Sequence, residues 1–165
     1  MRVVSSAGPL IHLARAGYFD LPRILFRRVL VPPGVYEAVV VRGRGQDGAT
    51  ETAEAGWIVR RRSRRGELVT ALGAFLGRGE AEAIALAAQR EGTLLLMDEA
   101  QGRRVAARLG VEVKGTLGLL LDGCRAGHVP DLEAAIGRMR DRGSWVGDDL
   151  VSAVLAAAKQ VGPGW

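Results

Sequence analysis

The segment that most limits how this chain can fold is 93–97, in which every residue from Leu94 to Met97 is apolar. A strand with one face in water alternates apolar and polar residues, whereas an uninterrupted apolar strand is buried on both faces. Such strands occur in the middle of parallel sheets that are covered by helices. The segment therefore predicts an α/β fold with a buried, mostly parallel sheet.

The rest of the chain alternates short apolar segments with helical patterns. Further strands are predicted at 2–5, 29–31, 57–59 and 111–113, with 57–59 at a sheet edge. Apolar periodicity and helix-starting residues predict helices at 9–16, 20–26, 67–76, 80–90, 101–109, 116–125, 131–140 and 149–160, and one that Pro32 and Pro33 begin. The Gly-rich segment 42–56 predicts a flexible excursion with at most a short helix. This alternation favours an α/β domain over an all-helical one.

The length and composition of the chain limit the classes of protein to which it can belong. The 165 residues suit one domain over 1–160 followed by a tail at 161–165. The single cysteine, Cys124, cannot form a disulfide within the chain and indicates a reducing compartment. No segment has the roughly 20 apolar residues of a membrane helix, and the amino terminus has no signal-peptide pattern. We therefore expect a soluble, cytoplasmic protein without a membrane partner.

The charge of the chain indicates which kind of molecule it binds. The formal net charge is +5, and all 23 basic residues except Lys114 and Lys159 are arginines. Arginine binds phosphate through a planar fork, so the excess favours a nucleic acid, although it equally fits an arginine-rich genome. The nucleic-acid-binding candidates include a run in segment 60–65. They are Arg60, Arg61, Arg62, Arg64, Arg65 and Arg103. This run could bind the phosphate backbone of a nucleic acid, or it could be a solvated surface turn, and the sequence leaves both interpretations open.

Acidic residues follow or precede several predicted strands. Asp98 and Glu99 end the most apolar strand, Glu37 lies on the helix after 29–31, and Glu80 and Glu82 begin the helix before 93–97. In a parallel sheet, the carboxyl ends of the strands share one edge, which is where active sites lie. Carboxylates that converge there repel one another unless a cation lies among them, and oxygen ligands select Mg²⁺ or Mn²⁺. Acidic residues in a first helical turn also simply favour the helix dipole.

Five segments in series resemble the PIN-domain proteins, and most closely the DUF3368 branch. They are 3–11 (VVSSAGPLI), 31–37 (VPPGVYE), 79–87 (GEAEAIALA), 95–99 (LLMDE) followed by 102–106 (GRRVA), and 115–118 (GTLG). The resemblance extends from Val3 to about Leu155. It implies a three-layer α/β/α fold, an acidic Mg²⁺ or Mn²⁺ site, cleavage of single-stranded RNA and frequent dimerisation.

The resemblance also implies roles for particular residues. Glu37 matches the second acid of the family, Glu82 the third with Glu80 as the alternative, and Asp98 the fourth with Glu99 as the alternative. The metal ligands expected in this way are Glu37, Glu82 and Asp98. Ser6 stands where the family has its first acid, and a neutral hydroxyl is a poorer ligand for a hard cation than a carboxylate. This departure affects the expected catalysis more than the expected fold.

We therefore expect one of two functions. The first is a metal-dependent endoribonuclease for single-stranded RNA, the toxin-like member of a toxin–antitoxin pair, with a small antitoxin protein and a second copy of itself as partners. The second is a PIN-like module that binds nucleic acid or a protein and has lost much or all of its cleavage. Ser6 is the residue that favours the second.

Overall fold

Five short strands, all parallel, form the centre of the computed structural model, which describes residues 1–160. The strands are β1 (Val3–Ser5), β2 (Val29–Val31), β3 (Ile58–Arg60), β4 (Leu94–Leu96) and β5 (Glu112–Lys114). Their order in the sheet is β3-β2-β1-β4-β5. Val3 pairs with Leu94 and Ser5 with Leu96, so the first strand lies beside the most apolar one. The mostly parallel sheet predicted from the sequence is confirmed.

The centre of the sheet is not the strand that the apolar pattern singles out. β4 is an interior strand between β1 and β5, but β1 holds the central position. All residues of β1, β2 and β4 are buried, whereas the edge strands β3 and β5 are partly exposed. The uninterrupted apolar sequence of β4 correctly predicted that this strand is buried on both faces. It did not predict that β1, and not β4, is the central strand of the sheet.

Ten α-helices surround the sheet within residues 1–160. They are α1 (Ala7–Ala16), α2 (Leu21–Phe26), α3 (Pro33–Tyr36), α4 (Ala49–Glu54), α5 (Gly66–Gly73), α6 (Arg78–Ala88), α7 (Ala100–Arg108), α8 (Thr116–Arg125), α9 (Leu132–Asp141) and α10 (Asp148–Gln160). Most boundaries lie within two residues of those expected, as is usual for frayed helix ends. The tail expected at 161–165 lies outside the described residues.

Successive residues of each strand point to opposite faces, and each face has its own core. Val4 and Leu95 pack on the side that carries α6, where Ile84 is fully buried. Val3 and Leu96 pack on the other side, against residues of α1, α8 and α9. Helices therefore cover both faces of the sheet, which confirms the three-layer α/β/α architecture. No helix within residues 1–160 combines the length and apolarity needed to cross a membrane.

A π-helical segment follows α3 and was not expected. Residues Glu37–Val41 form it, and the amide of Arg42 donates to the carbonyl of Glu37 over 2.9 Å. Such segments are rare and are frequent at functional sites, because the wider turn re-aims the side chains on it. Nothing in the apolar periodicity of 33–41 signals the change of helix type.

The segment 42–56, expected to be a flexible excursion, is tied to the domain. Asp47 accepts hydrogen bonds from Arg15 and Arg142. Gly48, with φ +89°, passes so close to α1 that a Cβ there would lie 3.3 Å from the carbonyl oxygen of Leu10. The segment then continues into α4, the short helix that the sequence allows.

Candidate active site at the carboxyl edge

Polar side chains meet where β1 and β4 end. The amide of Ser6 donates to the carbonyl of Leu96 over 2.9 Å, so the turn after β1 lies against the end of β4. A pocket of about 310 Å³ opens there, and Asp98 lines it. Its other lining residues are Ser6, Ala7, Gly8, His12, Glu80, Glu99 and Trp145. The parallel sheet thus brings together residues that are distant in the sequence.

Asp98 is the most firmly positioned carboxylate of this pocket. Its Oδ1 accepts a hydrogen bond from the Thr116 amide over 2.7 Å, and its Oδ2 accepts one from the Thr116 hydroxyl over 2.6 Å. Gly115 precedes Thr116, and a Cβ on it would lie 2.9 Å from both Asp98 Oδ1 and Arg103 Nη1. The segment 115–118 therefore acts as a support for Asp98, a role that the sequence did not reveal.

Thr116→Val tests this support. The variant keeps the shape of a fully buried side chain and removes the hydroxyl that donates to Asp98. We expect the free energy of unfolding to fall by about 1–2 kcal/mol, because a charged acceptor loses one of two donors. Thermal or urea unfolding measures this change. Thr116→Ser, which restores the hydroxyl, should recover most of the lost stability; equal losses in both variants would refute the assigned role of the hydroxyl.

His12 lies on the other side of Asp98. Its Nε2 is 4.0 Å from Asp98 Oδ2, and its Nδ1 lies 2.6 Å from the Ser144 hydroxyl. Burial lowers the pKa of His12; the Asp98 carboxylate acts in the opposite direction, and Arg15 lowers the pKa further. The imidazole is therefore neutral at pH 7 and contributes a polar wall rather than a counter-charge to Asp98.

Glu80 and Glu82 face different neighbours, as two residues about 200° apart on a helix must. Glu80 lines the pocket that contains Asp98. Glu82 points instead at the start of α3, where its Oε2 accepts the Gly34 amide over 2.5 Å. A Cβ at position 34 would overlap that carboxylate, so the glycine makes the contact possible.

Arg78 bridges the two carboxylates on the α3 side. Its Nη1 lies 2.6 Å from Glu37 Oε2 and its Nε lies 3.1 Å from Glu82 Oε1. Hydrogen bonding to Glu82 is the main cause that raises the pKa of Arg78. Glu37 and Glu82 are thus neutralised by a guanidinium, and neither lines the pocket around Asp98.

Glu99 serves the backbone of α7. Its two carboxylate oxygens accept the amides of Gln101 and Gly102, over 3.0 and 2.6 Å. This is the arrangement of a helix N-cap, which satisfies amides that have no partner within the helix. Asp98 and Glu99 both line the pocket, and each carboxylate accepts two hydrogen bonds from the protein.

Ser6 occupies the position expected for a first acid. It is 4% exposed, and its hydroxyl donates to the carbonyl of Leu96 over 3.1 Å. The hydroxyl proton is therefore used in a hydrogen bond to β4 and is not available to a ligand in the pocket.

The carboxylates at this edge meet only part of the needs of a hard divalent cation. Within residues 1–160, no three His, Cys, Asp or Glu side chains are grouped closely enough to hold a metal ion. Two carboxylates, those of Glu80 and Asp98, do line one pocket. Mg²⁺ is commonly bound by one or two protein carboxylates together with substrate phosphates and water. The residues fit such a loosely held cation, and do not form a closed protein cage.

A wider groove of about 500 Å³ shares His12, Asp98 and Trp145 with this pocket. Arg103 and Lys114 line it, although Lys114 is paired with Asp122. The indole of Trp145 is 88% exposed at the rim of both cavities. This position could not be predicted from the sequence, because Trp145 has no neighbouring aromatic residues and lies in a loop far from the acidic motifs.

The arginine run leaves this edge of the sheet. Arg60 lies over the ring of Tyr36, 4.1 Å from its centre, and so remains near α3. Further along, the Arg64 amide donates to the Gln89 side chain and an Arg65 nitrogen lies 3.5 Å from the Ala88 carbonyl. These contacts are at the end of α6, next to the start of β4. Arg60 and Arg103 therefore lie near the acidic residues, whereas Arg64 and Arg65 lie at the end of α6.

Comparison with known proteins identifies the family of this chain. The sequence model of the DUF3368 family, described as a PIN domain, matches residues 2–160. Searches of curated proteins and of solved structures found no match for this chain. Because the family match covers nearly the whole chain, the protein belongs to the DUF3368 family of PIN domains.

Proposed function

We propose that this chain is a PIN-family endoribonuclease that acts on single-stranded RNA, with Asp98 and Glu80 as its catalytic acids and with cleavage weakened by Ser6. Membership of the PIN family indicates a nuclease. The observation that carries the proposal is that two cavities share Asp98 and Trp145. Asp98 and Glu80 line the smaller one, and Asp98, Arg103 and Trp145 line the larger one.

The groove has the features that suit a single strand. An exposed indole offers a face on which a nucleobase stacks, and stacking tolerates any base. Arg103, on the same groove, is placed to contact a phosphate, and Arg60 is the second candidate on this side of the sheet. Phosphate contacts fix the register of a strand, and the reacting phosphate then lies beside the acids.

The acids have distinct roles in this proposal. Asp98 is held by Thr116, so its carboxylate keeps one orientation while RNA binds. Glu80 faces the same pocket from α6, and we favour it over Glu82, whose oxygens are engaged by Gly34 and Arg78. Asp98 and Glu80 would hold Mg²⁺ or Mn²⁺ together with a phosphate of the RNA. The chemistry that such a cation supplies is activation of water and neutralisation of charge on the phosphate.

A second candidate function is RNA binding without cleavage. Two observations favour it: the hydroxyl of Ser6 donates to Leu96, and no three potential metal ligands in the described chain are grouped together. Glu37 and Glu82, two of the three ligands expected from the sequence, are paired with Arg78. On this alternative, the same groove binds RNA and the acids only shape it.

The cellular setting is part of the same proposal. The resemblance to toxin ribonucleases supports a cytoplasmic toxin–antitoxin pair, with a small antitoxin protein and a homodimer as the partners. Co-purification with the product of an adjacent gene and light scattering of the purified chain test the two partners separately.

The direct test measures binding and cleavage of one RNA. A fluorescent single-stranded oligoribonucleotide is incubated with the protein in EDTA, Mg²⁺ or Mn²⁺, and its affinity is measured in EDTA. The proposal expects binding in every condition and cleavage only with a divalent cation. Binding without any cleavage would establish the second candidate, and the absence of binding would refute both.

Trp145→Ala tests the stacking surface. We expect RNA binding to weaken by about 1–3 kcal/mol, the usual loss when one aromatic platform is removed. Folding should be unchanged because the indole is 88% exposed. Fluorescence anisotropy measures the affinity, and Trp145→Phe, which keeps an aromatic face, should retain most of it. If alanine and phenylalanine weakened binding equally, stacking would not be the interaction.

A further inference from the structure

A third cavity, of about 570 Å³, lies at the opposite edge of the sheet. Its wall includes Arg2, Arg28 and Gly92, each of which lies just before a strand. The acidic pocket follows the carboxyl ends of the strands, whereas this cavity is near their amino ends. Four residues of extended chain separate Arg2 from Ser6, which corresponds to about 13 Å.

The cavity is strongly basic. Five arginines line it, and the one acidic residue on its wall is Glu91. The arginines are Arg2, Arg27, Arg28, Arg61 and Arg90. None of their guanidinium groups forms an ion pair with a carboxylate in the described part of the chain. Like charges that are gathered without partners repel one another, and an anion would relieve that repulsion.

Arg2 is in the least favourable position of the five. Its Nε and Nη2 are shielded from solvent and have no hydrogen-bond partner in the described chain. Burial lowers the pKa of Arg2, and repulsion from Arg90, Arg61 and Arg64 lowers it further. An unsatisfied buried donor costs stability, and more when it is charged. An anion in the cavity would offset the repulsion between Arg2 and the neighbouring arginines.

The backbone beside the cavity is strained at the same place. Arg27 has φ +72°, the one positive φ among the non-glycine residues described. A side chain in this region costs about 1–3 kcal/mol, and such residues cluster at ligand sites. Arg27 ends α2, and both Arg27 and Arg28 lie on the wall of the cavity just before β2.

We propose that this cavity is a binding site for a multiply charged phosphate group, such as the pyrophosphate of a nucleotide or the 5′-terminal phosphate of an RNA strand. Five arginines and one glutamate line the cavity, and this excess of positive charge favours a ligand with more negative charge than a single phosphodiester carries. The proposal concerns a different edge of the sheet and holds whether or not the acidic pocket cleaves RNA.

Pyrophosphate is the probe. In a fixed excess of sodium chloride, it should raise the Tm by roughly 5–10 °C at a hundredfold excess over Kd, because it binds only the folded chain. The rise should saturate, and a matched increase in chloride should not reproduce it. Absence of a saturable rise overturns the proposal.

Arg2→Met separates a ligand site from a structural arginine. The free variant should melt roughly 2–6 °C higher than the wild type, since it removes buried unpaired donors. Its affinity for pyrophosphate should fall roughly 10- to 100-fold. Arg104→Met, which changes an exposed arginine on α7, is the control and should behave as wild type. Wild-type affinity in the Arg2 variant overturns the proposal.

Arg90→Gln keeps the test decisive if the Arg2 variant folds poorly, because Arg90 is exposed and contributes only to the cavity wall. It should weaken pyrophosphate binding as well, and unchanged binding overturns the proposal. Two RNA oligonucleotides of one sequence, with and without a 5′-phosphate, then identify the source of the group. A preference for the phosphorylated strand that Arg90→Gln removes assigns RNA ends, and equal binding of both assigns free nucleotides. Tighter binding of an oligoglutamate peptide than of pyrophosphate would overturn the phosphate assignment.

Discussion

Asp98→Asn is expected to abolish the metal-dependent cleavage of single-stranded RNA while the protein stays folded. Asparagine keeps the shape of aspartate and loses the charge that a cation and a reacting phosphate require. The Thr116 amide can still donate to the new side chain, and the Thr116 hydroxyl can accept from it. We expect the loss of rate to exceed the 10- to 100-fold that removal of a supporting group costs. The free energy of unfolding should change by less than about 1 kcal/mol.

Initial rates at saturating Mn²⁺ measure the first effect and thermal unfolding measures the second. Glu99→Gln is the matched control, because Glu99 is the neighbouring carboxylate and its oxygens cap α7. It should lower stability slightly and leave most of the cleavage. Undiminished cleavage in Asp98→Asn would show that the acid has been misidentified.

Ser6→Asp is expected to increase both metal binding and cleavage. The side chain at this position lies at the end of β1, against the end of β4, next to the pocket of Asp98 and Glu80. A third carboxylate there would convert two ligands into the larger set that a hard cation prefers. We expect a rise in Tm on addition of Mn²⁺ that exceeds the rise in the wild type, with faster cleavage of the same RNA.

The same variant should be less stable without metal. Aspartate removes the hydroxyl that donates to Leu96 and adds a negative charge beside Asp98 at a position that is 4% exposed. We expect a loss of about 1–3 kcal/mol in EDTA, which Mn²⁺ should reverse. Ser6→Asn, which is neutral, is the control and should gain nothing from Mn²⁺. An aspartate variant that matches this control would contradict the placement of residue 6 beside the acids.

Parts of this arrangement could be predicted from the sequence because they follow from the sheet alone. Parallel strands share a carboxyl edge, so residues that end the segments 2–5 and 93–97 had to approach one another. Ser6 and Asp98 do so because β1 and β4 are neighbours. The position of β1 at the centre did not follow, since burial on both faces is common to three of the strands.

The contacts between side chains could not be predicted from the sequence, because they depend on how the helices and strands pack against one another. The choice between Glu80 and Glu82 depends on the rotation of α6, which the contact between Glu82 and Gly34 determines. Thr116 has no acidic or metal-binding character, and only the approach of β4 to α8 reveals its role. The run at 60–65 is equally basic along its length, yet its contacts with Ala88 and Gln89 carry most of it to the other end of the sheet.

We propose that this chain acts on RNA at the pocket of Asp98 and Glu80. The most direct test is a crystal soaked in Mn²⁺ with a single-stranded RNA whose reacting linkage resists cleavage, examined for anomalous density. We predict density between Asp98 and Glu80, with a phosphate beside it and a base on Trp145. Density between Glu37 and Glu82 in place of Arg78, with none beside Asp98, would contradict the claim.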